Sequence, residues 1–267
     1  MKSSALSALL VGSLMLLAAF SPALALAAPL MAPGMSAGGV NGSSWLSTNW
    51  SGYAVTGSNV VSVEGSWIVP PATGTRFTTA YSSFWVGIDG FNSGTVEQIG
   101  TDSDVQRGKP AYYAWYEFYP LEAMQTISLT VIPGDIMDAS VTYTSSEFTL
   151  YIENMNTTVS FSMTESVASL GYTPARSSAE WIAEAPSSYF GVLPLANFGK
   201  VNFGYDSTSV AGTCSATVAG VTGSIGSFGS AVQEITMVSR RGATKASPSL
   251  LSADGTSFSV TWASAGP

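Results

Sequence analysis

Short segments in which apolar and polar residues alternate recur along most of this chain, and they constrain its fold more than any other feature. They are rich in Val, Thr, Ser, Tyr and Phe, and Gly, Pro or Asn separates one from the next. Examples are VVSVEGSWIV (60–69), TISLTVI (126–132), ASVTYT (139–144), FTLYIEN (148–154), TVSFSMT (158–164), QEITMVS (233–239) and SFSVTW (257–262). A period of two residues is typical of β-strands, and amphipathic helical patterns are nearly absent. The sequence therefore predicts an all-β fold, an antiparallel sandwich or barrel.

The first residues have the layout of a secretory signal. Lys2 is followed by an apolar stretch over residues 5–20, and Ala25 and Ala27 then form an A-x-A cleavage pattern. The apolar stretch is shorter than the roughly 20 residues of a membrane span. We expect residues 1–27 to be a signal peptide, so that the protein is secreted to the extracellular medium and has no membrane attachment after cleavage. The alternative is an uncleaved N-terminal anchor.

Composition divides the rest of the chain into two parts. Residues 28–44 are rich in Pro, Gly, Ala and Ser, which is typical of a loose leader or short pro-segment. The alternating pattern begins near Trp45, and one β domain over residues 45–267 has an ordinary length for such a fold. Nothing in the sequence indicates an oligomer, so we expect a monomer.

Charge is sparse and acidic. Only 10% of the 267 residues are charged, with 17 acidic against 9 basic side chains and a pI near 4.4. A nucleic-acid-binding protein would carry a basic stripe, which this chain lacks. Few ion pairs would be lost on protonation of carboxylates, so the composition suits an acidic medium.

The chain contains no histidine and a single cysteine, Cys214. These counts exclude Ser-His-Asp and Cys-His catalytic sites and histidine-based zinc sites. Cys214 has no partner for an intrachain disulfide, and we expect a buried free thiol. If the protein is an enzyme, carboxylates or amides must perform the chemistry, which suits acid, where histidine would stay protonated.

The period of two residues also assigns side chains to the faces of the expected strands. In SFWVGIDG the alternation places Phe84, Val86 and Ile88 in a core. It places Trp85, Gly87 and Asp89 on the other face. In the segment SSAEWIAEAP, Glu180 and Glu184 share a face and Trp181 points away. If these strands are neighbours in a curved sheet, one concave face gathers aromatic and polar groups suited to a ligand groove: Trp85, Asp89, Gln98, Trp115, Glu117 and Glu180.

Several longer segments resemble a known family when they are read in order. They are NWSGY (49–53), FWVGIDG (84–90), EQIGTDSD (97–104), AWYEFYP (114–120), AEWIAE (179–184) and ANFGKVNF (196–203). Together they resemble the glutamic peptidases, also called eqolisins, over most of the chain from Asn49 to near Trp262. Any one segment is weak evidence, whereas the ordered set is specific.

The resemblance implies a fold and an activity. Members of the family are antiparallel sandwiches of two sheets with a concanavalin A-like jelly-roll relationship, and they cleave proteins at acidic pH. Their catalytic glutamine and glutamate correspond to Gln98 and Glu180 here. By the same resemblance we expect substrate-binding roles for Trp85, Asp89, Trp115 and Glu117. The expected partners are protein or peptide substrates, with no cofactor and no metal.

These residue types also make chemical sense. Peptide hydrolysis needs a base for water, a donor for the oxyanion and an acid for the leaving amine. A glutamate such as Glu180 is partly ionised in mild acid, and a glutamine amide such as Gln98 donates an N–H without titrating. Such a pair avoids the shared proton of two facing carboxylates.

Three alternatives stay open at this point. Glu184 shares a face with Glu180 and is its rival as the base. A carbohydrate-active or carbohydrate-binding jelly roll would stack sugars on its tryptophans and use Glu117 and Glu180 as a carboxylate pair. A non-catalytic surface adhesin would tolerate the loss of both Gln98 and Glu180.

Overall fold

The computed structural model describes residues 37–39 and 42–266, and its regular structure is almost entirely β-strand. The strands are β1 Ala37–Gly39, β2 Gly42–Ser47, β3 Trp50–Thr56, β4 Val60–Ile68, β5 Thr79–Ala80, β6 Ser83–Ile88, β7 Val96–Gln106, β8 Lys109–Tyr119, β9 Gln125–Ile127, β10 Ile136–Thr144, β11 Glu147–Asn154, β12 Val159–Ser166, β13 Ser178–Glu184, β14 Ser187–Ser188, β15 Gly191–Val192, β16 Lys200–Phe203, β17 Ser215–Val218, β18 Val221–Ser224, β19 Val232–Val238, β20 Thr244–Pro248 and β21 Phe258–Trp262. The helical turns are α1 Val167–Leu170, α2 Tyr205–Thr208 and a 3₁₀ segment, Ile225–Ala231. The expected all-β fold is confirmed.

The strands form two sheets that pack face to face. Sheet I has the order β9-β8-β7-β6-β13-β3-β19-β2. Sheet II has the order β12-β11-β10-β4-β16-β21-β20, and the β17–β18 hairpin also pairs with β4. All of these neighbours are antiparallel except β2 and β19, which run parallel. Pairing of β19 with β20 joins the two sheets along one side.

The core between the sheets follows the alternation in the sequence. Along β10 and β11 every second side chain is buried, and these side chains are Met137, Ala139, Val141, Phe148, Leu150 and Ile152. Their neighbours are mostly half-buried on the outer face of sheet II. Burial of these apolar side chains contributes about 25 cal/mol per Å² of apolar surface removed from water.

The middle of sheet I is different because it is buried on both faces. Every residue of β6 and of β13 is buried. One face supplies Phe84 and Val86 to the main core. The opposite face, which we call the site face, carries a second apolar cluster made of Trp50, Ala54, Trp85, Val96, Trp115, Ile182 and Ile235.

Two segments differ from the expected pattern or lie across an expected boundary. The predicted strand at 126–132 ends at Ile127, because the N–H of Leu129 donates to the carbonyl of Ile127 in a tight turn. At the other end of the chain, β2 crosses the boundary expected between residues 44 and 45, since Ser43 and Ser44 pair with β19. The predicted signal peptide lies outside the described residues. Within the described ranges, no helix is both long and apolar enough to cross a membrane.

Candidate active site

Strand pairing arranges the site face in three rows that run across the strands. The glutamine row consists of Glu180, Gly87, Gln98 and Glu117. The tryptophan row consists of Ile182, Trp85, Gly100 and Trp115. The aspartate row consists of Glu184, Ser83, Asp102 and Tyr113. The period of two residues puts all three rows on one face, so the structure brings five of the six predicted site residues together there.

Glu180 is buried without a hydrogen-bond partner. It is 0% exposed, and neither of its carboxylate oxygens accepts a hydrogen bond from a described residue. Burial is the main cause that raises the pKa of Glu180 well above its usual range, and the charges of Asp89 and Glu97 add to the rise. The hydroxyl of Ser178 and the N–H of Phe91 approach the carboxylate and oppose the rise. Glu180 is therefore a desolvated carboxyl group with free lone pairs.

Gln98 is held in one orientation by its neighbour in the row. Its Nε2 donates to Oε2 of Glu117 at 2.6 Å. The Oε1 of Gln98 is buried and accepts no hydrogen bond from the described residues. Because a primary amide carries two N–H groups, the second one stays available to a ligand. Glu117 therefore fixes which end of the amide is the donor.

Gly87 lies between the two predicted catalytic side chains and adds no side chain of its own to the row. It lies between Glu180 and Gln98 in the row, so these two residues are two strand spacings apart, about 9.6 Å. A Cβ at position 87 would lie 2.9 Å from Cζ3 of Trp85 and 3.1 Å from Cβ of Gln98. The missing side chain leaves room for the edge of the Trp85 ring, which approaches the strand between Glu180 and Gln98.

Buried carboxylates anchor the two tryptophans of the site face. The indole N–H of Trp85 donates to Glu184 Oε2 at 2.9 Å, and that of Trp115 donates to Asp102 Oδ1 at 2.6 Å. The side-chain amide of Asn49 donates to Glu184 Oε1 at 3.2 Å. Burial raises the pKa of Glu184 to about 8 and that of Asp102 to about 6, although these donors oppose the rise. Both rings therefore have fixed orientations.

Asp102 belongs to a pair of acids that share one phenol. The hydroxyl of Tyr113 lies 2.9 Å from Asp102 Oδ2 and 2.9 Å from Asp104 Oδ2. Burial and the nearby charge of Asp102 raise the pKa of Asp104 well above its usual range. The phenol has one proton to donate, so a second proton on the acid pair satisfies the other contact. Both shifts favour the protonated form of the acid pair at low pH.

Asp89 lies at the end of β6, where a positive φ of 72° ends the alternation. Its Oδ2 accepts from the backbone N–H of Arg176 at 2.7 Å, and its Oδ1 accepts from the N–H and hydroxyl of Ser177 at 2.8 and 2.9 Å. In this structure the carboxylate thus holds the segment that leads into β13 and Glu180. The substrate-binding role predicted for Asp89 stays a prediction.

A second buried acid holds the same segment from the opposite face. Glu97 is 0% exposed and accepts a hydrogen bond from the hydroxyl of Tyr172 at 2.8 Å. Burial, and then the charge of Asp89, raises the pKa of Glu97 well above its usual range. Residues 172–177 are therefore tied to sheet I by two acids immediately before Glu180.

The glutamine row is closed to solvent. Its polar side chains and both anchored tryptophans are no more than 2% exposed. Near Glu180, Trp45 and Phe91 meet edge to face with ring centres 5.5 Å apart, and Trp45 Nε1 donates to Gln233 at 2.6 Å. A ligand therefore reaches Glu180 only when the covering groups move aside.

Sequence reasoning missed several residues of this face. Asp102 and Asp104 follow Gln98 at even spacings in EQIGTDSD, so the alternation already indicated that they share its face. Trp50 follows from the same rule, and Glu184 had already been placed on the face of Glu180, whereas nothing local indicates the contact between Tyr172 and Glu97. Among the described residues, no group of His, Cys, Asp and Glu is arranged to hold a metal ion.

Comparisons with known proteins identify the family of this chain. The family model described as the Peptidase A4 family matches residues 48–246, which is more than half of the chain. Aspergillopepsin-2 of Aspergillus niger is 31% identical over 177 residues, covering 59% of this chain and 62% of that protein. Scytalidopepsin B of Scytalidium lignicola is 35% identical over 139 residues, covering 51% of each. The matched stretches thus span between half and two thirds of these two relatives.

Solved structures are similar over a larger share. A scytalido-glutamic peptidase bound to a peptide-based transition-state analogue has a TM-score of 0.66 at 28% identity, covering 81% of this chain and 98% of that one. Aspergilloglutamic peptidase from Aspergillus niger has a TM-score of 0.57 at 28% identity, covering 69% and 99%. The resemblance of the ordered segments, the shared sandwich and the family match lead to one conclusion: the chain belongs to the Peptidase A4 family, the glutamic peptidases or eqolisins.

Proposed function

We propose that the protein is a secreted endopeptidase that acts in acid, with Glu180 as general base and acid and Gln98 as the oxyanion donor. One observation carries the proposal: across a glycine, an oriented glutamine amide faces a buried glutamate whose oxygens accept no hydrogen bond within the described part of the chain. Membership of the Peptidase A4 family supports the same reaction class.

The proposed reaction needs only these groups and a water. A water between Glu180 and the scissile carbonyl loses a proton to the Glu180 carboxylate as its oxygen attacks the carbonyl carbon. The second N–H of the Gln98 amide then donates to the oxyanion of the tetrahedral intermediate. As the C–N bond breaks, protonated Glu180 returns the proton to the leaving nitrogen. The products are a carboxyl group and an amine, and Glu180 is a carboxylate again.

The surroundings of Glu180 bear on the working pH. A raised pKa makes the ionised carboxylate a stronger base but reduces the ionised fraction in acid. We therefore expect the acid limb of kcat/KM to follow the ionisation of Glu180, so that mild acid is more favourable than strong acid. The raised pKa values of Asp102 and Asp104 favour their protonated forms in the same pH range.

Peptides are the proposed substrates. One structurally similar relative was solved with the tripeptide Ala-Ile-His and another with a peptide-based transition-state analogue. We infer that the anchored rings of Trp85 and Trp115 bind substrate side chains next to the glutamine row, and that Glu117 acts by orienting Gln98.

The geometry argues against the carbohydrate-active alternative. Glu117 is engaged by the Gln98 amide and lies three strand spacings, about 14 Å, from Glu180. Glycosidase carboxyl pairs lie roughly 5 to 9.5 Å apart with nothing but substrate and water between them. Here the side chain of Gln98 lies between the two acids.

The test is digestion of an acid-denatured protein from pH 2 to 7 by the wild type, Glu180→Gln and Glu64→Gln. Glu64 is an exposed residue of β4 and provides a matched glutamate control. We expect Glu180→Gln to lose about 10²-fold or more in kcat at every pH while circular dichroism stays unchanged, and Glu64→Gln to behave as wild type. Equal cleavage by Glu180→Gln would refute Glu180 as the base, and a wild type inactive at all pH values would refute the peptidase.

A further inference from the structure

A cavity of about 430 Å³ lies outside the site face, at the end of the sandwich. The β14–β15 hairpin, the end of β19, the start of β20 and residues 265–266 enclose it. Its volume falls in the range of small-molecule sites, roughly 300 to 1,000 Å³. None of its lining residues belongs to the three rows of the site face.

A buried lysine supplies one wall of this cavity. Lys245 is 3% exposed, and its Nζ makes one hydrogen bond to a described residue, the carbonyl of Thr48 at 3.2 Å. Its aliphatic stem packs along the chain near residue 266, where a Cβ on Gly266 would lie 3.1 Å from Lys245 Cε. Desolvation lowers the pKa of Lys245 to about 8, and no carboxylate of the described residues offsets this fall. An ammonium group has three donors, so two remain for a ligand.

A second cation lies at the mouth of the same cavity. Arg240 lines it from the end of β19, and its guanidinium packs against the hairpin, where a Cβ on Gly191 would lie 3.3 Å from Nη2. The described lining residues include no aspartate or glutamate. Two of the nine basic residues of a chain with net charge −8 therefore converge on one cavity without an acid among its walls. Lys245 is the buried member of the two and Arg240 is exposed, and a buried cation is rarely left without a partner anion.

The remaining walls are mostly apolar. Val192, Leu193, Pro194 and Val238 line the cavity, with the hydroxyl of Ser239 as an added polar group. We propose that this cavity binds a small organic carboxylate, whose anionic group pairs with Lys245 and Arg240 and whose apolar body packs between the hairpin and β19. The site is separate from the glutamine row and does not depend on the proposed peptidase activity.

Two sources supply this chemistry, a free organic acid or the C-terminal carboxylate of a peptide. Isothermal titration at pH 6.5 in a buffer without carboxylates distinguishes them, with hexanoate and N-acetyl-leucine as probes. N-acetyl-leucinamide, which lacks the charge, is the matched control. At this pH the probes are ionised and Lys245 is protonated. Binding of both acids indicates a site for organic acids in general, and binding of N-acetyl-leucine alone indicates a peptide end.

Three variants test whether binding occurs in this cavity. We expect Lys245→Met to bind the carboxylate probes about tenfold or more weakly than the wild type does. N-acetyl-leucinamide should bind the wild type no more tightly than the carboxylates bind Lys245→Met. Val192→Trp keeps both cations but fills the cavity, and we expect it to abolish binding. Lys200→Met removes an exposed lysine outside the cavity and should bind as the wild type does. Absence of saturable binding to the wild type, or equal affinity in Lys245→Met, would overturn the proposal.

Discussion

Glu180 and Glu184 lie on the same strand, share a face and are both buried, yet their surroundings are opposite. Both oxygens of Glu184 accept hydrogen bonds, from Trp85 and Asn49, whereas neither oxygen of Glu180 has a described partner. The aspartate row is thus satisfied internally and the glutamine row is not. Since burial of an unsatisfied polar group costs free energy, such groups persist where a ligand completes them. On this face, the glutamate that supports a tryptophan and the glutamate proposed for the chemistry thus lie four positions apart on one strand.

The comparison predicts that the two rows respond differently to isosteric or small substitutions. Gln98→Ala removes the proposed oxyanion donor, and we expect kcat to fall about 10²- to 10³-fold. Stability should fall by about 1 to 3 kcal/mol as well, because buried Glu117 loses its amide donor. Glu184→Gln should keep kcat within a few-fold in acid, because Glu184 is protonated there and a neutral amide resembles a protonated carboxyl. Steady-state kinetics at pH 4 measures both. A loss in Glu184→Gln as large as that in Gln98→Ala would abolish the distinction between the rows.

A pH series tests the raised pKa values of the aspartate row, to which the other buried acids of the site add an effect of the same sign. The folded-state pKa values of Asp102 and Glu184, about 6 and about 8, lie above their unfolded values near 4. The folded state therefore binds these protons more tightly, so stability is full below about pH 4 and falls as the pH rises through 6 and 8. Each unit of upward shift corresponds to about 1.4 kcal/mol, so we expect a loss of several kcal/mol and a falling Tm between pH 4 and 8.

Asp102→Asn provides the control for this series. The variant lacks one of the groups that must ionise inside the protein, so its Tm should fall less steeply between pH 5 and 7 than that of the wild type. Calorimetry of both proteins gives the two slopes. A wild-type Tm that rises towards neutral pH would show that these acids are ionised in the folded state at low pH.

Gly87→Ala tests whether the glutamine row requires a glycine between Glu180 and Gln98. The added methyl group meets Trp85 and Gln98 at 2.9 and 3.1 Å, so one of them must shift. We expect a loss of about 1 to 3 kcal/mol in stability and about tenfold in kcat. Gly94→Ala is a suitable control, because a Cβ there meets no atom within 4 Å. Wild-type kinetics in Gly87→Ala would mean that the positions of Trp85 and Gln98 beside this glycine do not affect catalysis.

The smallest expected effect concerns the segment before Glu180. Tyr172→Phe leaves buried Glu97 without its phenol donor, and we expect a loss of about 1 to 2 kcal/mol in stability and a few-fold loss in kcat. Tyr151→Phe removes a similar tyrosine–glutamate bond on the outer face of sheet II and should cost less, about 0 to 1 kcal/mol. Urea unfolding of the two variants compares them. Equal losses would show that burial of Glu97 adds nothing.

Local patterns predicted the faces of the strands but not the partners across them. Alternation alone places Trp85, Gln98 and Glu180 on one face, because that rule depends only on strand geometry. The rule stops at Asp89, where a positive φ turns the chain out of the strand. The bond between Tyr172 and Glu97 joins residues 75 positions apart, and only the packed sheets determine it. Similarly, nothing in the local sequence distinguishes Lys245 from a surface lysine. Only the packing of the hairpin and residues 265–266 places it in the wall of a cavity.

The positions of β7 and β13 inside sheet I have a consequence for recognition. Each has a hydrogen-bonded neighbour on both sides, so neither strand offers a free edge next to Gln98 or Glu180. A polypeptide laid over the site face therefore cannot extend the sheet by β-augmentation, the mode in which main-chain pairing supplies affinity regardless of sequence. Side chains of the site face must instead bind its backbone. The selectivity of the protein will then depend on which substrate residues fit between the two tryptophans.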